Sequence, residues 1–448
     1  MNAPEAPRRR SNLDASLVDR TPPLPIAWYF DPAWFERERE LIFKGGPGYA
    51  GHALMVPEVG DYMTLPWTEH GKLLVRNAEG PAGVALLSNT CRHRQALIME
   101  GRGNATSLVC PAHRWTYDLS GRLLGAPEFD RTPDCALPRQ ALSNWHGLLF
   151  TGPGNAPAAL ADFPLAADYD FSGHVLDRVQ VEELPFNWKA FLEIYLELYH
   201  VEAMHPGLQK WVDPGNYEWG FGAQWSYQIL GIKDGLRSQV SPHYARYRDT
   251  LLAYNGGVLP KYGTVWSILY PNVMLEWYPH CLVVSTLLPR SPDHTTNIVE
   301  FYYPEEIKAF EPQIVAAHQA AYAESAAEDA EVCTRLHRGR RALWLAGEDD
   351  AGPFHTPHED GVIHLHDWIR RKMGQRRTLW WTRCRRSRSR PSCRRATLRS
   401  RSASIARSAS RFRGTTTTWL TCVTAAPASC CSTSTSRPSA PVSRCTCW

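Results

Sequence analysis

The sequence predicts an α+β protein, in which a small antiparallel all-β domain is inserted into a larger domain of helices and antiparallel sheet. Short alternating apolar runs punctuated by Gly, Asn and Pro fill residues 60–150, and longer strand-like runs with flanking helical periodicity follow. A chain of 448 residues is long enough for two or three domains. We assign the small domain to residues 45–155 and the larger one to residues 1–44 and 156–374.

The first element is a helix over residues 27–44, where apolar side chains recur every three or four positions. Asp31 and Pro32 provide an N-cap and a proline in the first helical position. The small domain follows as short strands of a barrel or sandwich, in the runs YMTLPW, KLLVRN, GVALLSN, WTYDLSG and GLLFTG. Residues 155–170 connect this domain to the rest of the chain.

The larger domain is predicted to resume with a long amphipathic helix that begins near Leu184 and includes NWKAFLEIYLELYH. Five strand-like runs come next, in WSYQIL, TVWSILY, VMLEWY, CLVVSTLLP and NIVEFYYP. A helical stretch from Pro304 to Leu345 follows them. This order of elements is typical of an antiparallel sheet packed against helices.

The last segment, residues 375–448, differs from the rest in composition. From Arg376 onward it contains 16 arginines and seven of the twelve cysteines, but no Asp, Glu, Lys, Asn, Gln, His or Tyr. These seven residue types share codons with A in the middle position, so a GC-rich gene read out of frame would exclude them. We therefore interpret this tail as low-complexity sequence, disordered or derived from a frameshift, with an evolved basic arm as the alternative.

The first 375 residues are acidic, with 33 Lys and Arg against 45 Asp and Glu. Such a chain is not expected to bind nucleic acid. No apolar run reaches the roughly 18 residues that a membrane span needs, and the N-terminal segment lacks the apolar stretch of a secretory signal. We expect a cytoplasmic protein, in which cysteines are more often reduced or metal-bound than cross-linked.

Two Cys-His pairs lie in the small domain: Cys91-x-His93 and, after sixteen intervening residues, Cys110-x-x-His113. The short spacing directs both side chains of each pair toward one point. A Cys₂His₂ zinc site is one alternative, but a hairpin-like segment rather than a helix follows the second pair. The spacing matches a Rieske [2Fe–2S] cluster, in which two thiolates hold one iron and two imidazoles hold the other.

A second motif reads Glu193-x-x-x-Glu197-x-x-His200-x-x-x-x-His205-Pro206. On one continuous helix the first three of these residues share a face, and His205 lies about a turn further on. Two histidines and a carboxylate form the facial triad of non-heme Fe(II), which leaves coordination positions open for O₂ and substrate. We therefore expect His200 and His205 to bind such an iron.

From Trp28 to Trp368 the chain resembles the α subunits of Rieske non-heme iron oxygenases, through the segments NTCRHR, CPAHRWTYDLSGRLLGAP and NWKAFLEIYLELYHVEAMHP. Gln95 and Arg114 stand where the family usually has glycine, and all four cluster ligands are kept. The resemblance implies a Rieske [2Fe–2S] cluster on the two Cys-His pairs and a mononuclear Fe(II) in the larger domain.

The resemblance also implies the third iron ligand and a link between the metals. Asp329 in AAEDAEVCTRLHRG matches the family's carboxylate, with Glu328 as the alternative because adjacent helical residues point about 100° apart. Glu197 matches the residue that links the two metals across a subunit boundary, and otherwise it is a carboxylate that orients His200. Glutamate at this position is familiar in members that resemble choline, betaine and carnitine oxygenases.

The implied function is that of the terminal oxygenase of a multicomponent system. A separate NAD(P)H reductase or ferredoxin supplies the electrons. O₂ is activated at Fe(II) to hydroxylate an aromatic acid, an aromatic ring or a quaternary amine, as a mono- or dioxygenase. The family also implies a homotrimer or a higher homo-oligomer. The alternatives are a Rieske electron carrier without oxygenase chemistry and a non-functional frameshifted product.

The sequence also predicts where three further groups of residues lie in the fold. The four histidines of FHTPHEDGVIHLHDW are expected on the surface or behind the metal ligands rather than in a third metal site. The remaining cysteines of the first 375 residues, Cys135, Cys281 and Cys333, are expected to be small buried apolar residues. The aromatic residues belong mainly to the core, although some could cage a quaternary ammonium; they include Trp219, Trp225, Trp266, Trp277 and Tyr278.

Overall fold

The computed structural model describes residues 9–68 and 71–374. The prediction for the tail, at residues 375–448, lies outside the described residues. Within the described part, short antiparallel strands form a small region that is inserted before a large sheet with flanking helices. The predicted α+β class is confirmed, and the boundaries that we assigned to the domains stay a prediction.

The N-terminal segment reaches across the larger domain before the small domain begins. Its predicted helix over residues 27–44 is divided at Asp31, whose side chain accepts a hydrogen bond from the Ala33 amide at 2.8 Å. Pro32 follows in the first helical position, and residues 39–43 close the segment as a π-helical turn. The elements are β1 (Arg9–Ser11), α1 (Ala15–Arg20), α2 (Ala27–Phe30) and α3 (Pro32–Glu38).

The small domain consists of three antiparallel sheets. The order is β10-β5-β4-β3-β6 in the first, β11-β12-β2 in the second and β7-β8-β9 in the third. Their strands are β2 (Gly48–His52), β3 (Asp61–Leu65), β4 (Lys72–Arg76), β5 (Val84–Ser88), β6 (Arg102–Asn104), β7 (Leu108–Val109), β8 (Thr116–Tyr117), β9 (Leu123–Gly125), β10 (Arg139–Gln140), β11 (Ser143–Trp145) and β12 (Leu148–Thr151). Each of the five predicted runs overlaps one of these strands.

A short helix, α4 (Ala156–Ala159), lies in the predicted connector and leads into the large sheet. The sheet has the order β1-β14-β15-β16-β17-β18-β19-β13, with every pair antiparallel except β1 and β14. The strands are β13 (His174–Leu184), β14 (Val212–Phe221), β15 (Trp225–Ile232), β16 (Thr264–Leu269), β17 (Val273–Tyr278), β18 (Cys281–Ser291) and β19 (His294–Pro304). The predicted strand runs correspond to β15–β19.

Helices cover one face of the large sheet. They are α5 (Trp188–Tyr195), α6 (Val201–Met204), α7 (Pro242–Tyr254), α8 (Glu305–Phe310), α9 (Pro312–Ala346) and α10 (Asp360–Lys372). The predicted long helix from Leu184 is wrong, because Leu184 ends β13 and α5 spans only eight residues. The Asn187 side chain caps α5 by accepting from the Lys189 amide. Beyond Tyr195 the Leu198 amide donates to the His358 carbonyl at 2.9 Å, so the helical ladder is not continued.

The two faces of the large sheet bury different partners. Ile268, Met274 and Leu287 pack against α5, α10 and the N-terminal helices. On the other face, Val265 and Leu275 pack against strands β11 and β12 of the small domain. Cys281 and Cys333 are buried as predicted, Cys135 is half-buried, and all five described cysteines are free thiols. None of the described helices combines the length and apolar character that crossing a membrane requires.

Candidate metal centres

The two Cys-His pairs lie on two loops with the same backbone hydrogen bonds. In each loop the cysteine amide donates to the carbonyl five residues on, at 2.9 Å for Cys91 and 2.8 Å for Cys110. The amide four residues on donates back to the cysteine carbonyl, at 3.1 and 3.0 Å respectively. This closure gives Gln95 a φ of 58° and Arg114 a φ of 60°, which are left-handed conformations that favour glycine. Both departures from glycine therefore occupy the same position in their loops.

The donor groups of these loops form a buried end and a surface end. Cys91 and Cys110 are only 2% and 1% exposed, whereas His93 is half-buried and His113 is exposed. The two imidazole rings lie side by side, with centroids 4.7 Å apart. Nδ1 of His93 is buried and finds no hydrogen-bond partner in the described part of the chain. Two buried thiols and two adjacent imidazoles match the donor set of a Rieske cluster.

Hydrogen-bond donors surround both sulfurs. The Tyr117 hydroxyl lies 3.4 Å from Sγ of Cys91, and the amides of His93 and Arg94 also point at this sulfur. Burial raises the pKa of Cys91, but these donors together with Cys110 outweigh burial and leave the pKa below its usual value. Burial holds the pKa of Cys110 above the usual value, although two backbone amides donate to its sulfur. Donors directed at a buried sulfur stabilise the thiolate, which is the form that binds iron.

The spacing of the donors separates the two interpretations of the Cys-His pairs. Among residues 9–68 and 71–374, only His200, His205 and Asp329 place three possible ligand atoms within 4.8 Å of one another. The donors of the Cys-His pairs do not converge so closely, as one zinc ion with bonds of about 2.0–2.3 Å would require. A two-iron cluster needs a wider separation because its thiolates and imidazoles bind different irons. The geometry favours the cluster over zinc.

The second centre joins α6 and α9. His200 precedes the single turn of α6, His205 follows it, and Asp329 lies within α9. The two Nε2 atoms are 3.0 Å apart. Oδ1 of Asp329 lies 3.1 Å from Nε2 of His205 and 3.5 Å from Nε2 of His200. These separations suit three adjacent ligands bound at about 2.1 Å to one ion.

Carboxylates fix the orientation of both imidazoles. Nδ1 of His200 lies 2.5 Å from Oε1 of Glu197, and Nδ1 of His205 lies 2.7 Å from Oε2 of Glu328. A proton on each Nδ1 leaves both Nε2 lone pairs facing the carboxylate of Asp329, which places three electron-pair donors around one point. Burial lowers the pKa of His200, but Asp329 and Glu197 outweigh burial and raise it to about 9. The negative charge of Asp329 and Glu197, which stabilises the protonated form of His200, would also stabilise a bound metal cation.

The structure separates the roles of the two candidate carboxylates on α9. Asp329 faces the two Nε2 atoms, whereas Glu328 reaches His205 from the opposite side of its ring. Within the described residues, the hydrogen bonds of Glu197 all go to residues close to it in the sequence. Its Oε2 accepts hydrogen bonds from the amides of Tyr199 and His200. Glu197 therefore orients His200, and its role as a link between two metal centres stays a prediction.

The argument from a shared helix face was wrong, because α5 ends before Glu197 and His200. Glu193 remains on α5 and has a role that the sequence did not indicate. It is buried, and it pairs with Nη1 of Arg340 at 2.5 Å and with Nε2 of His366 at 2.9 Å. The hydroxyl of Tyr29 donates to it as well. Glu193 thus joins four helices behind the second centre.

The histidine-rich segment before and within α10 has no common metal site among the described residues. Nδ1 of His364 lies 3.0 Å from the Tyr270 hydroxyl, and His366 is bound to Glu193. His355 is exposed, and its ring stacks on Tyr199 with a centroid distance of 4.6 Å. His358 is half-buried. The prediction of a place on the surface or behind the metal ligands was wrong for His364 and His366, which are buried and contact Tyr270 and Glu193 rather than a candidate ligand.

A cavity of about 90 Å³ adjoins the second centre, and the three candidate ligands line it. Aromatic side chains form much of its wall: Trp211, Tyr244, Tyr247, Trp266, Tyr278 and Tyr322. Its other polar lining groups are Glu182, Glu197, Glu276, Asn297, His318 and Ser325. Of the aromatic residues singled out in the sequence, Trp266 and Tyr278 line this cavity, while Trp219 and Trp225 are buried in the core.

Two family profiles match the chain. The Rieske [2Fe–2S] domain matches residues 51–139, and the catalytic domain of the ring-hydroxylating alpha subunit matches residues 166–375. Among curated proteins, a putrescine 2-hydroxylase of Ralstonia nicotianae is 52% identical over 365 residues, which cover 81% of this chain and 99% of the relative. A protein of the same name from Bordetella bronchiseptica is 46% identical over 376 residues, covering 81% of this chain and 87% of the relative.

Solved structures share the fold at lower identity. A quaternary ammonium Rieske monooxygenase, described for carnitine oxidation by gut microbiota, superposes with a TM-score of 0.65 and 19% identity, covering 82% of this chain and all of that one. Naphthalene 1,2-dioxygenase from Rhodococcus sp. gives a TM-score of 0.60 and 18% identity, covering 78% of this chain and 94% of that one.

Proposed function

The chain belongs to the family of Rieske non-heme iron oxygenase α subunits, and from that premise we propose that it is the terminal oxygenase of a multicomponent system that hydroxylates an aliphatic diamine of the size of putrescine. It is an oxidoreductase with a Rieske [2Fe–2S] domain and a catalytic domain of the type that binds mononuclear iron. A Rieske electron carrier would not need this second domain. The identity to the two putrescine hydroxylases supports the substrate.

Each centre has residues that fit its metal. Cys91, His93, Cys110 and His113 would hold the cluster, and His200, His205 and Asp329 would hold the iron. When bound, the two groups supply stored electrons and the activation of O₂. Glu197 and Glu328 hold the Nδ1 protons, so that each Nε2 is free to act as a ligand. The aromatic wall of the cavity keeps water from the reacting carbon.

The observation that carries the substrate class is the wall of the cavity. Its volume of about 90 Å³ suits a small substrate. Glu182 and Glu276 line the cavity, and none of the described residues that line it is Lys or Arg. Negative groups without positive ones favour a cationic substrate over an aromatic acid.

The route of the electrons requires partners. We propose that a separate reductase or ferredoxin reduces the cluster, and that the chain assembles as a homotrimer in which one subunit's cluster faces the next subunit's iron. The exposed ring of His113 supports this arrangement, because a ligand at the surface can approach another chain. Tyr199, which is 61% exposed, lies beside Glu197 at the second centre and offers a surface for such an approach.

A reconstituted assay tests the proposal. Holoprotein with NADH, a compatible reductase and putrescine should consume O₂ and yield a product heavier by one oxygen atom. His200→Ala should lose this product while it keeps the visible absorption of the cluster, because His200 belongs to the other centre. Choline and benzoate should be poor substrates. Turnover of either of these without turnover of putrescine would contradict the proposed substrate class.

A further inference from the structure

Buried polar side chains cross the face of the large sheet that α9 covers. Glu276 on β17, Ser285 on β18 and Asn297 on β19 are all buried, and Glu182 on β13 is paired in register with Asn297. The Ser285 hydroxyl donates to Oδ1 of Asn297 at 2.8 Å. A sheet face packed against a helix normally carries apolar residues. Packing alone therefore does not account for this band, most of which lines the cavity.

Glu276 differs from the rest of this band because it is a buried carboxylate whose described partners are uncharged. It is only 4% exposed. The Tyr278 hydroxyl donates to its Oε2 at 2.7 Å, and the Tyr322 hydroxyl donates to its Oε1 at 3.3 Å. No Lys, Arg or His in the described ranges forms an ion pair with it, whereas the buried Glu193 has Arg340. Buried carboxylates are normally paired with cations, and a carboxylate can accept about four hydrogen bonds.

His318, on α9, supplies a second polar atom without a partner. The residue is 2% exposed, and its Nδ1 lies 2.8 Å from the Tyr303 hydroxyl. Its Nε2 is buried and has no hydrogen-bond partner within the part of the chain that the structure describes. Its ring centroid lies 5.0 Å from that of Tyr278 and 6.3 Å from that of Tyr322. Burial lowers the pKa of His318 to about 3, so it is neutral and cannot provide the missing cation.

We propose that the Glu276 carboxylate, with the rings of Tyr278 and Tyr322 and Nε2 of His318, binds the primary ammonium group of the substrate that lies farther from the oxidised carbon, an inference that rests on the proposed function. The carboxylate supplies the counter-charge, and the two tyrosine rings add cation–π attraction. The imidazole accepts an N–H in the tautomer that carries its proton on Nδ1. Glu276 is thus a specificity-determining residue.

The spacing along α9 agrees with this assignment. Tyr322 and Asp329 are seven residues apart in one helix, which is about 10 Å along the axis. A four-carbon diamine is about 6 Å long between its nitrogens, and a hydrogen bond adds about 3 Å. One such molecule therefore extends from the neighbourhood of the candidate iron ligands to the Glu276 carboxylate.

The same groups discriminate between classes of amine. A primary ammonium has three N–H donors, which a carboxylate and an imidazole nitrogen can accept. A quaternary ammonium has no N–H donor, so it would leave both acceptors unsatisfied in a buried site. An uncharged analogue such as 1-butanol would leave Glu276 without its counter-ion. The site should therefore prefer a primary diamine to choline and to 1-butanol.

Glu276→Gln is the informative variant, and Glu300→Gln is its matched control. Glu300 is also buried and accepts hydrogen bonds from two tyrosines, Tyr49 and Tyr302, but it does not line the cavity. Loss of a charge-assisted hydrogen bond predicts a KM for putrescine that rises roughly 10- to 100-fold in Glu276→Gln. The ratio of its kcat/KM for putrescine to its kcat/KM for 1-butanol should fall by a similar factor. Glu300→Gln should keep the parent's value of this ratio.

Equilibrium binding provides a readout that does not depend on turnover. Under anaerobic conditions putrescine should raise the Tm of the parent holoprotein and of Glu300→Gln, and should raise that of Glu276→Gln much less. An unchanged preference for putrescine in Glu276→Gln, or an equal loss in both variants, would overturn the inference. Putrescine that raises the Tm of the parent without being hydroxylated would instead contradict the proposed function alone. Tetramethylammonium that raises the Tm as much as putrescine would overturn the inference too.

Discussion

Gln95 and Arg114 hold the same left-handed position in the two loops that carry the proposed cluster ligands. A residue with a Cβ costs about 1–2 kcal/mol in this conformation. Glycine avoids that cost, but it loses about 0.4–1 kcal/mol more conformational entropy on folding. The cost of the left-handed conformation is larger than the entropic cost of glycine. Gln95 and Arg114 therefore make the folded protein less stable than glycine would at these positions.

Gln95→Gly and Arg114→Gly should therefore each stabilise the holoprotein, by up to about 1 kcal/mol. Arg92→Gly is the control, because Arg92 lies in the same loop as Gln95 and is not among the residues with positive φ. Arg92→Gly should lower stability, because glycine loses more conformational entropy on folding and relieves no backbone strain at this position. Thermal unfolding of the four proteins measures this. Destabilisation by Gln95→Gly as large as that by Arg92→Gly would show that the strain is absent.

The raised pKa of Glu300 predicts how the stability of the protein depends on pH. Burial raises its pKa to about 7, despite hydrogen bonds from Tyr302 and Tyr49. The folded protein therefore retains a proton that the unfolded chain releases near pH 4.5, so stability falls as pH rises from about 4.5 to 7. Glu300→Gln removes this dependence and should gain up to about 3 kcal/mol relative to the parent between pH 5 and 8. Chemical denaturation at the two pH values checks this, and an exposed substitution, Glu331→Gln, should show no such difference.

At the residue scale, spacing alone identified the two Cys-His pairs and the two histidines that we propose as iron ligands. These motifs are short, so their chemistry can be recognised before the fold is known. The choice between Glu328 and Asp329 needed the orientation of α9 relative to His205. Glu276 and His318 carry no motif, and only the packing of α9 over the sheet brings them to the same cavity.

At the scale of elements, the strands β15–β19 were predictable because they are apolar runs separated by turns. β14 was missed because Pro214 and Gly215 interrupt it and its register shifts between Asp213 and Tyr217. The end of α5 was missed for another reason. The sequence LELYH continues the helical pattern, but a tertiary hydrogen bond from Leu198 to His358 replaces the next turn of helix.

Substitution of Arg340 tests how much its ion pair with Glu193, between α9 and α5, contributes to stability. Burial raises the pKa of Glu193, but Arg340 and His366 outweigh burial and lower it to about 2, so the carboxylate is charged. Arg340→Met would leave this buried charge without its main partner and should destabilise the protein by about 2–4 kcal/mol in urea unfolding. Arg335→Met is the control, because Arg335 pairs with Glu331 on the exposed face of the same helix. It should change stability by less than about 0.5 kcal/mol, and an equal effect of the two substitutions would contradict the role of Glu193.

At the scale of the whole molecule, the large sheet separates two functions. One face supports the helices that carry His200, His205 and Asp329, and the other packs against the small domain with its Cys-His loops. A single chain thus holds both sets of ligands on different sides of one sheet.

Glu197→Gln tests the link between the centres. The amide keeps the shape of the side chain but loses its charge and one acceptor oxygen, so it cannot accept an N–H from a histidine of each centre. The cluster should remain reducible and the iron should remain bound, while oxygenated product nearly vanishes. Metal analysis and product yield from pre-reduced protein measure these quantities. Product at near the parent rate would reduce Glu197 to a carboxylate that only orients His200.

The central claim is that electrons stored at the Cys-His pairs are used at the second centre to hydroxylate a diamine. A single turnover tests it most directly: holoprotein is reduced, freed of reductant and mixed with putrescine and ¹⁸O₂. We predict that the cluster's absorption returns to its oxidised form while a hydroxylated diamine containing one ¹⁸O atom appears. Oxidation of the cluster without any labelled product would contradict the claim.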